Sequence, residues 1–192
     1  MIAIIKYNAG NIRSVQNALS RLGYASVVTD NISEIQEAEK VIFPGVGEAG
    51  SAMQYLKKHG LDSCIKNLQQ PVLGICLGLQ LMCKHSEEGD TECLGIFNSN
   101  VKAFPPKDIV PHMGWNDFTK LKGKLFNGIQ LTDDVYFVHT YFAEICEDTI
   151  AETNYILPFS SAMQRKNFYA TQFHPEKSAS IGEQILKNFL AL

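Results

Sequence analysis

The chain opens with a repeated exchange between two hydrophobic periods, and this alternation limits its fold more than any other feature. Ile2–Ile5 is a short continuous apolar run, after which Ile12, Val15, Leu19 and Leu22 recur at helical spacing until Gly23-Tyr24. Residues 25–29 read as a second strand. Ser33-Glu-Ile-Gln36 has the form of a capping box opening a short helix, and residues 41–43 read as a third strand stopped by Pro44-Gly45. Helical patterns over 51–58 and 62–68 lead through Pro71 into a fourth run, Val72–Ile75. Consecutive strands separated by helices join by right-handed crossovers, which put helices on both faces of a parallel sheet. The expected fold is therefore α/β, an open and mostly parallel sheet flanked by helices.

Beyond residue 90 the texture changes to short strand-like pieces at 95–97, 101–104, 135–138, 150–155, 160–164 and 168–173. These predict extra antiparallel strands in the C-terminal half. Phe104-Pro-Pro-Lys-Asp108 reads as a loop too short to divide the chain, so residues 1–192 are expected to form one domain. A last helix should begin near Ser180, where Ser180-Ile-Gly-Glu183 resembles a capping box, with Ile181, Ile185, Phe189 and Leu190 on one apolar stripe.

With 17 Lys and Arg against 20 Asp and Glu the net charge is −3, so no overall positive field would draw in nucleic acid or anionic lipid. The longest apolar stretch, residues 72–79, falls well below the roughly 20 residues that a membrane-spanning helix needs. Met1-Ile-Ala-Ile-Ile5 has no basic stretch ahead of it and no cleavage-type site behind it, which predicts a strand and not a signal peptide. Five cysteines, Cys64, Cys76, Cys83, Cys93 and Cys146, form an odd, irregularly spaced set. Together these features predict reduced thiols in a cytoplasmic protein. The chemical question is whether one of the thiols is reactive.

Gly74-Ile-Cys76-Leu-Gly78 stands directly between an expected strand and an expected helix, the pattern of a nucleophile elbow with cysteine in the nucleophile position. The tight turn needs small neighbours and pushes one side chain out at the carboxyl end of the sheet, where open α/β sheets bind ligands. The following helix N-terminus would favour a thiolate there, and the Leu77 N–H would point at charge developing on an attacked carbonyl. The competing reading is that Cys76 is a small buried hydrophobe, the usual fate of a free cysteine.

A cysteine nucleophile needs a base, and the candidates are His59, His85, His112, His139 and His174. In Gln172-Phe-His-Pro-Glu176, Pro175 biases His174 toward extended backbone, and residues two apart on an extended segment project to one side. Glu176 would then lie beside the imidazole and hold its tautomer, the third role of a triad. Alone, a His-Pro-Glu string is more often a solvated turn, and pairing it with the cysteine elbow reverses that balance. Pro44-Gly45-Val46-Gly47, after the third strand, allows close approach of backbone amides and supplies a candidate second oxyanion donor beside Leu77.

Other residues carry less. Cys83, His85 and Cys93 do not complete a zinc-site spacing, so no metal and no cofactor are expected. Met82, Phe173 and Phe189 read as core, and Glu87-Glu88 as an exposed helix end. The single tryptophan, Trp115, sits in the turn-like string Pro111-His-Met-Gly-Trp-Asn116, as a satellite-core residue or an interface anchor.

Gly74-Ile-Cys-Leu-Gly-Leu-Gln80 together with His174-Pro-Glu176 resembles the class I (triad) glutamine amidotransferases. More narrowly, Pro44-Gly-Val-Gly47, Pro111-His-Met-Gly-Trp-Asn116, Tyr136-Phe-Val-His-Thr-Tyr141 and Gln172-Phe-His-Pro-Glu-Lys-Ser178 are similar to the glutaminase subunits of imidazole glycerol phosphate synthases. The likeness runs from the Asn8-Ala-Gly-Asn11 turn to the last helix, with no departure at a catalytic position. It implies a flavodoxin-like amidotransferase fold in which Cys76 attacks the side-chain amide of glutamine, His174 is base and then acid, and Glu176 orients it. It further implies that Gly47, Gln80, Glu88, Thr140 and Tyr141 contact glutamine, and that the Gly45-Val46-Gly47 peptides complete the oxyanion hole, one of them by flipping. The implied partner is a (β/α)₈ cyclase subunit, bound as a heterodimer, that receives the ammonia in histidine biosynthesis. Asn11, Trp115 and Lys177 are implied at that interface. Three alternatives stay open: a paralogous glutaminase feeding a surface-sugar pathway, another cysteine hydrolase acting alone, and a non-catalytic flavodoxin-like binding module.

Overall fold

The computed structural model describes residues 1–8 and 10–192. Ala9, within the expected Asn8 to Asn11 turn, lies outside the described residues. Four parallel strands, β1 (Ile2–Ile5), β2 (Ser26–Thr29), β3 (Lys40–Phe43) and β4 (Val72–Ile75), form one side of an eight-stranded sheet in the order β2-β1-β3-β4. The strand Phe168–Thr171 continues it in parallel beside β4, and Leu157–Arg165, Thr149–Tyr155 and Lys120–Leu121 extend it antiparallel. β1 and β4 are buried along their whole lengths, which is why they read as unbroken apolar runs and not as alternating ones.

Side chains on a strand alternate between faces, and the sheet uses this to build two cores. Ala3, Ile5, Val41, Phe43 and Val72 pack on one face with Ile35, Met53, Leu56 and Ile65. Ile2, Ile4, Ile42, Leu73 and Ile75 pack on the other with Val15, Leu19, Ile185 and Phe189. The first face is thus covered by α2 (Ile32–Glu37), α3 (Ala49–Lys58) and α4 (Leu61–Lys66), and the second by α1 (Ile12–Arg21) and the C-terminal helix Ala179–Leu190. The chain leaves β1 along one face and returns to β3 along the other. Adjacent strands therefore send their following loops apart, opening a crevice at their carboxyl ends.

Several local expectations need correction. α2 is capped by Asn31, whose Oδ1 accepts the Ser33 and Glu34 N–H groups at 2.9 and 3.3 Å, and not by Ser33. The last helix starts at Ala179 without a capping box: Ser178 Oγ instead donates to the His174 carbonyl at 2.7 Å and accepts the Tyr136 N–H at 2.9 Å. Residues 95–97 are not a strand. Their amides, with that of Leu94, donate to the carbonyls of Leu81, Met82 and Cys83, satisfying the end of the helix α5 (Leu77–Met82). The string 111–116 is not a turn: His112–Asn116 is a strand paired antiparallel with Val135–His139. Glu87 and Glu88 lie in a turn after the strand His85–Ser86 and not at a helix end, and Glu88 is half-buried.

Candidate active site

β4 ends at Ile75 and α5 begins at Leu77, so Cys76 alone makes the turn, at φ 52° and ψ −104°. This is a strained conformation for a residue with a side chain. The turn fits only because its neighbours are small. A Cβ on Gly78 would sit 2.0 Å from the Phe43 carbonyl oxygen, and one on Gly45 would sit 2.2 Å from the Tyr7 hydroxyl. The Cys76 N–H donates to the Thr171 carbonyl at 2.7 Å, which ties the elbow to the strand that delivers His174.

His174 follows that strand in extended backbone, at φ −98° and ψ 95°, and its N–H donates to the Tyr136 carbonyl at 2.9 Å. Glu176 arrives by a 3₁₀ turn at Pro175–Lys177 and not by the extended spacing expected from sequence. The pairing is reached all the same, with His174 Nδ1 donating to Glu176 Oε1 at 2.7 Å and both side chains fully buried. A carboxylate at Nδ1 requires the proton there, which leaves Nε2 as the nitrogen able to take another. His174 Nε2 has no hydrogen-bond partner among the described residues. Burial, the largest single influence, pulls the His174 pKa down. The Cys76 sulfur facing it and the Glu176 carboxylate together outweigh burial and raise it to about 10.

Asn11, expected at an interface, has its amide on the same carboxylate. Its Nδ2 donates to Glu176 Oε1 and stands 3.4 Å from His174 Nδ1. Nothing in the local sequence around Asn11 signals this, because the contact joins the turn after β1 to a segment more than 160 positions away.

The two expected oxyanion donors are not both available. The Leu77 N–H is taken by the Gly45 carbonyl at 3.3 Å, and the Val46 carbonyl accepts the Gly10 N–H at 3.0 Å. The expected hole is therefore closed, and the helix behind it, Leu77–Met82, has Cys76 at its N-cap position. Gly47 has φ 147°, a conformation that favours glycine.

A cavity of about 220 Å³ opens onto Cys76 and is lined also by Val46, Gly47, Gln80, Glu88, Thr140 and Tyr141. All five residues implied for glutamine contact therefore border one space. Glu88 Oε2 accepts the Ala49 N–H at 2.8 Å, and burial, partly offset by that bond, shifts its carboxyl pKa upward. Gln80 Nε2 is already engaged, donating to the Tyr141 carbonyl at 2.9 Å and to Gln172 Oε1 at 3.1 Å.

At the cavity wall, which His139 helps to line, His112 Nδ1 and His139 Nε2 are 2.9 Å apart in a shell of Phe104, Phe137, Tyr155 and Phe159. His139 Nδ1 donates to the Tyr141 carbonyl at 2.8 Å. These two histidines stand opposite each other in the strand register, a relation invisible until the pairing is known. Trp115 is 54% exposed and meets Tyr136 edge to face, while Met113, two residues away on the same strand face, is 66% exposed. Lys177 is exposed. Among the described residues no cluster of three metal-ligating side chains occurs, and no helix is long and apolar enough to cross a membrane.

The family model described as glutamine amidotransferase class-I matches residues 3–192. An imidazole glycerol phosphate synthase subunit HisH from Bacteroides thetaiotaomicron is 59% identical over 194 residues, covering 100% of this chain and 99% of that protein. The HisH subunit of Blochmanniella floridana is 47% identical with the same coverage. Among solved structures, a glutamine amidotransferase at 18% identity superposes with a TM-score of 0.78, covering 100% of this chain and 98% of the other, which supports the fold. The chain belongs to the class-I glutamine amidotransferases and, within them, to the HisH subunits of imidazole glycerol phosphate synthase.

Proposed function

We propose that residues 1–192 act as one glutaminase domain that hydrolyses glutamine to glutamate and ammonia through Cys76, His174 and Glu176. The observation that carries this reading is the buried His174–Glu176 pair at 2.7 Å, which leaves Nε2 unpartnered beside the cysteine of a strained elbow. The Cys76 thiol passes its proton to His174 Nε2, and the thiolate attacks the amide carbon of glutamine. His174 returns the proton to the departing nitrogen, ammonia leaves, and a glutamyl thioester remains. Water then attacks the thioester with His174 again as base, the Cys76 sulfur leaves, and glutamate is released. Gly47, Gln80, Glu88, Thr140 and Tyr141 hold the substrate, Glu88 by its carboxylate.

The closed oxyanion hole supports a switch. Rotating the Gly45–Val46 peptide would withdraw the Gly45 carbonyl from Leu77 and turn an N–H toward the reacting carbonyl, a motion that glycines on either side of Val46 make easy. The ammonia would pass to a cyclase subunit of (β/α)₈ fold in the cytoplasm, enclosed so that it stays unprotonated and nucleophilic. Exposed Trp115 and Lys177, with Asn11, would face that subunit. Glutamate release measured with and without the cyclase and its substrate tests the reading. A large increase on assembly, abolished by Cys76→Ser, is expected. Equal rates would overturn the switch, and activity surviving in Cys76→Ser would overturn the nucleophile.

A further inference from the structure

Gln172 is fully buried between Cys76 and Gln80, and no step of the hydrolysis above uses it. Its amide orientation follows from its neighbours. The Tyr141 carbonyl can only accept, so the Gln80 atom 2.9 Å from it is nitrogen. That same Nε2 lies 3.1 Å from a terminal atom of Gln172 and donates to it, so that atom is Oε1. Gln172 Nε2 is left facing Cys76 Sγ at 3.6 Å, as a donor. His139 Nδ1 gives the Tyr141 carbonyl a second donor at 2.8 Å and holds the far end of the chain in place.

We propose that Gln172 is a catalytic residue whose Nε2–H stabilises the Cys76 thiolate while the thiol proton resides on His174 Nε2, with Gln80 as the positioning residue that aims it. This rests on Cys76 being the nucleophile. The His174 imidazolium faces the sulfur from one side, and Gln172 supplies a second donor where the Leu77 N–H is bonded to Gly45 and the Val138 carbonyl at 3.9 Å can accept from a thiol but repels a thiolate. Two titratable groups act on the sulfur, His174 from one side and Tyr7 from the turn after β1. Burial, and secondarily Cys76 itself, push the Tyr7 hydroxyl far above its ordinary range, so it remains a neutral phenol near neutral pH and supplies no cation.

The test is iodoacetamide labelling of Cys76 in the full chain, with the labelled peptide identified by mass spectrometry. Gln172→Met, close in shape but without the donor, should slow labelling roughly tenfold at neutral pH. The deficit should close at alkaline pH, whereas a general loss of structure would expose the buried Cys76 and speed labelling. Equal labelling in the two proteins would overturn the proposal. Should Gln172→Met fail to fold, the side-chain NH₂ resonances of Gln172 in the unmodified chain decide. They should move as Cys76 ionises and stay fixed in Cys76→Ala, and resonances indifferent to Cys76 would overturn the proposal equally. No labelling at Cys76 in the unmodified chain would instead overturn the nucleophile itself, and this role with it.

Discussion

His174 and His139 are almost equally hidden from water, at 0% and 5% exposure, yet their protonation runs in opposite directions. Burial lowers the pKa of each. At His174 the Cys76 sulfur and the Glu176 carboxylate reverse that effect, to about 10. At His139 the one favourable partner among the described residues is the Tyr141 carbonyl, His112 and His174 add repulsion, and the pKa falls to about 3. Burial supplies the sensitivity, and the chemistry of the partner decides the sign. On the proposed mechanism the first histidine moves protons, while the second is held neutral as a link in a one-directional hydrogen-bond chain.

The largest expected effect comes from erasing what distinguishes the first site. Glu176→Gln removes the negative charge beside His174 Nδ1 while keeping the shape, and puts an amide into a position that already receives the Asn11 amide. Both the tautomer and the imidazolium lose their support. Glutamate release in the cyclase complex should fall on the order of 10³- to 10⁴-fold in kcat. A loss below tenfold would mean that the carboxylate does not set the charge of His174, and the contrast with His139 would need another cause.

A smaller effect is expected from the second site. His139→Phe keeps an aromatic ring among Phe104, Phe137 and Phe159 but removes a donor from the Tyr141 carbonyl and an acceptor from His112. Because Gln80 still holds that carbonyl at 2.9 Å, the segment should loosen and not collapse. The KM for glutamine should rise roughly tenfold, with kcat changing less. A collapse of kcat at unchanged KM would mean that His139 takes part in proton transfer after all.

What could be read from sequence divides along the same line. The elbow and the His-Pro-Glu string are local, so the residues of the first site announce themselves within a few positions. β1, β3 and β4 were equally legible, because strands buried on both faces are written as continuous apolar runs. The second site was not. His112–Asn116 contains His, Gly and Asn, poor strand formers, and owes its conformation to pairing with Val135–His139. Gln172 looks like any polar residue ending a strand until Gln80 is brought to it from α5. Asn11 meets Glu176 only because the turn after β1 and the segment after Phe168–Thr171 emerge at the same end of one sheet. The closed oxyanion hole was equally hidden, since two glycines permit either peptide orientation and only the contacts of Gly45 and Val46 choose one.

The smallest expected effect is on stability, and its sign separates the two sites. His139 has a folded pKa of about 3, below the ordinary value of 6.5, so the unfolded chain binds its proton first as pH falls. Its contribution is present above 6.5 and is lost between 6.5 and about 3. His174, raised to about 10, behaves oppositely: its contribution is full below 6.5 and is lost as pH rises toward 10. Between pH 6 and 5 the His174 contribution is therefore nearly constant, while the neutral His139 should remove about 1 kcal/mol and its partner His112, which burial lowers to about 4, a similar amount. For a chain of 192 residues each contribution is a fall in Tm of about 2–4 °C. Thermal melting at the two pH values checks it, and His139→Phe should show a smaller fall. A Tm equal at both pH values in the unmodified chain would mean that the buried pair takes up a proton without penalty, and that partner chemistry does not separate it from His174.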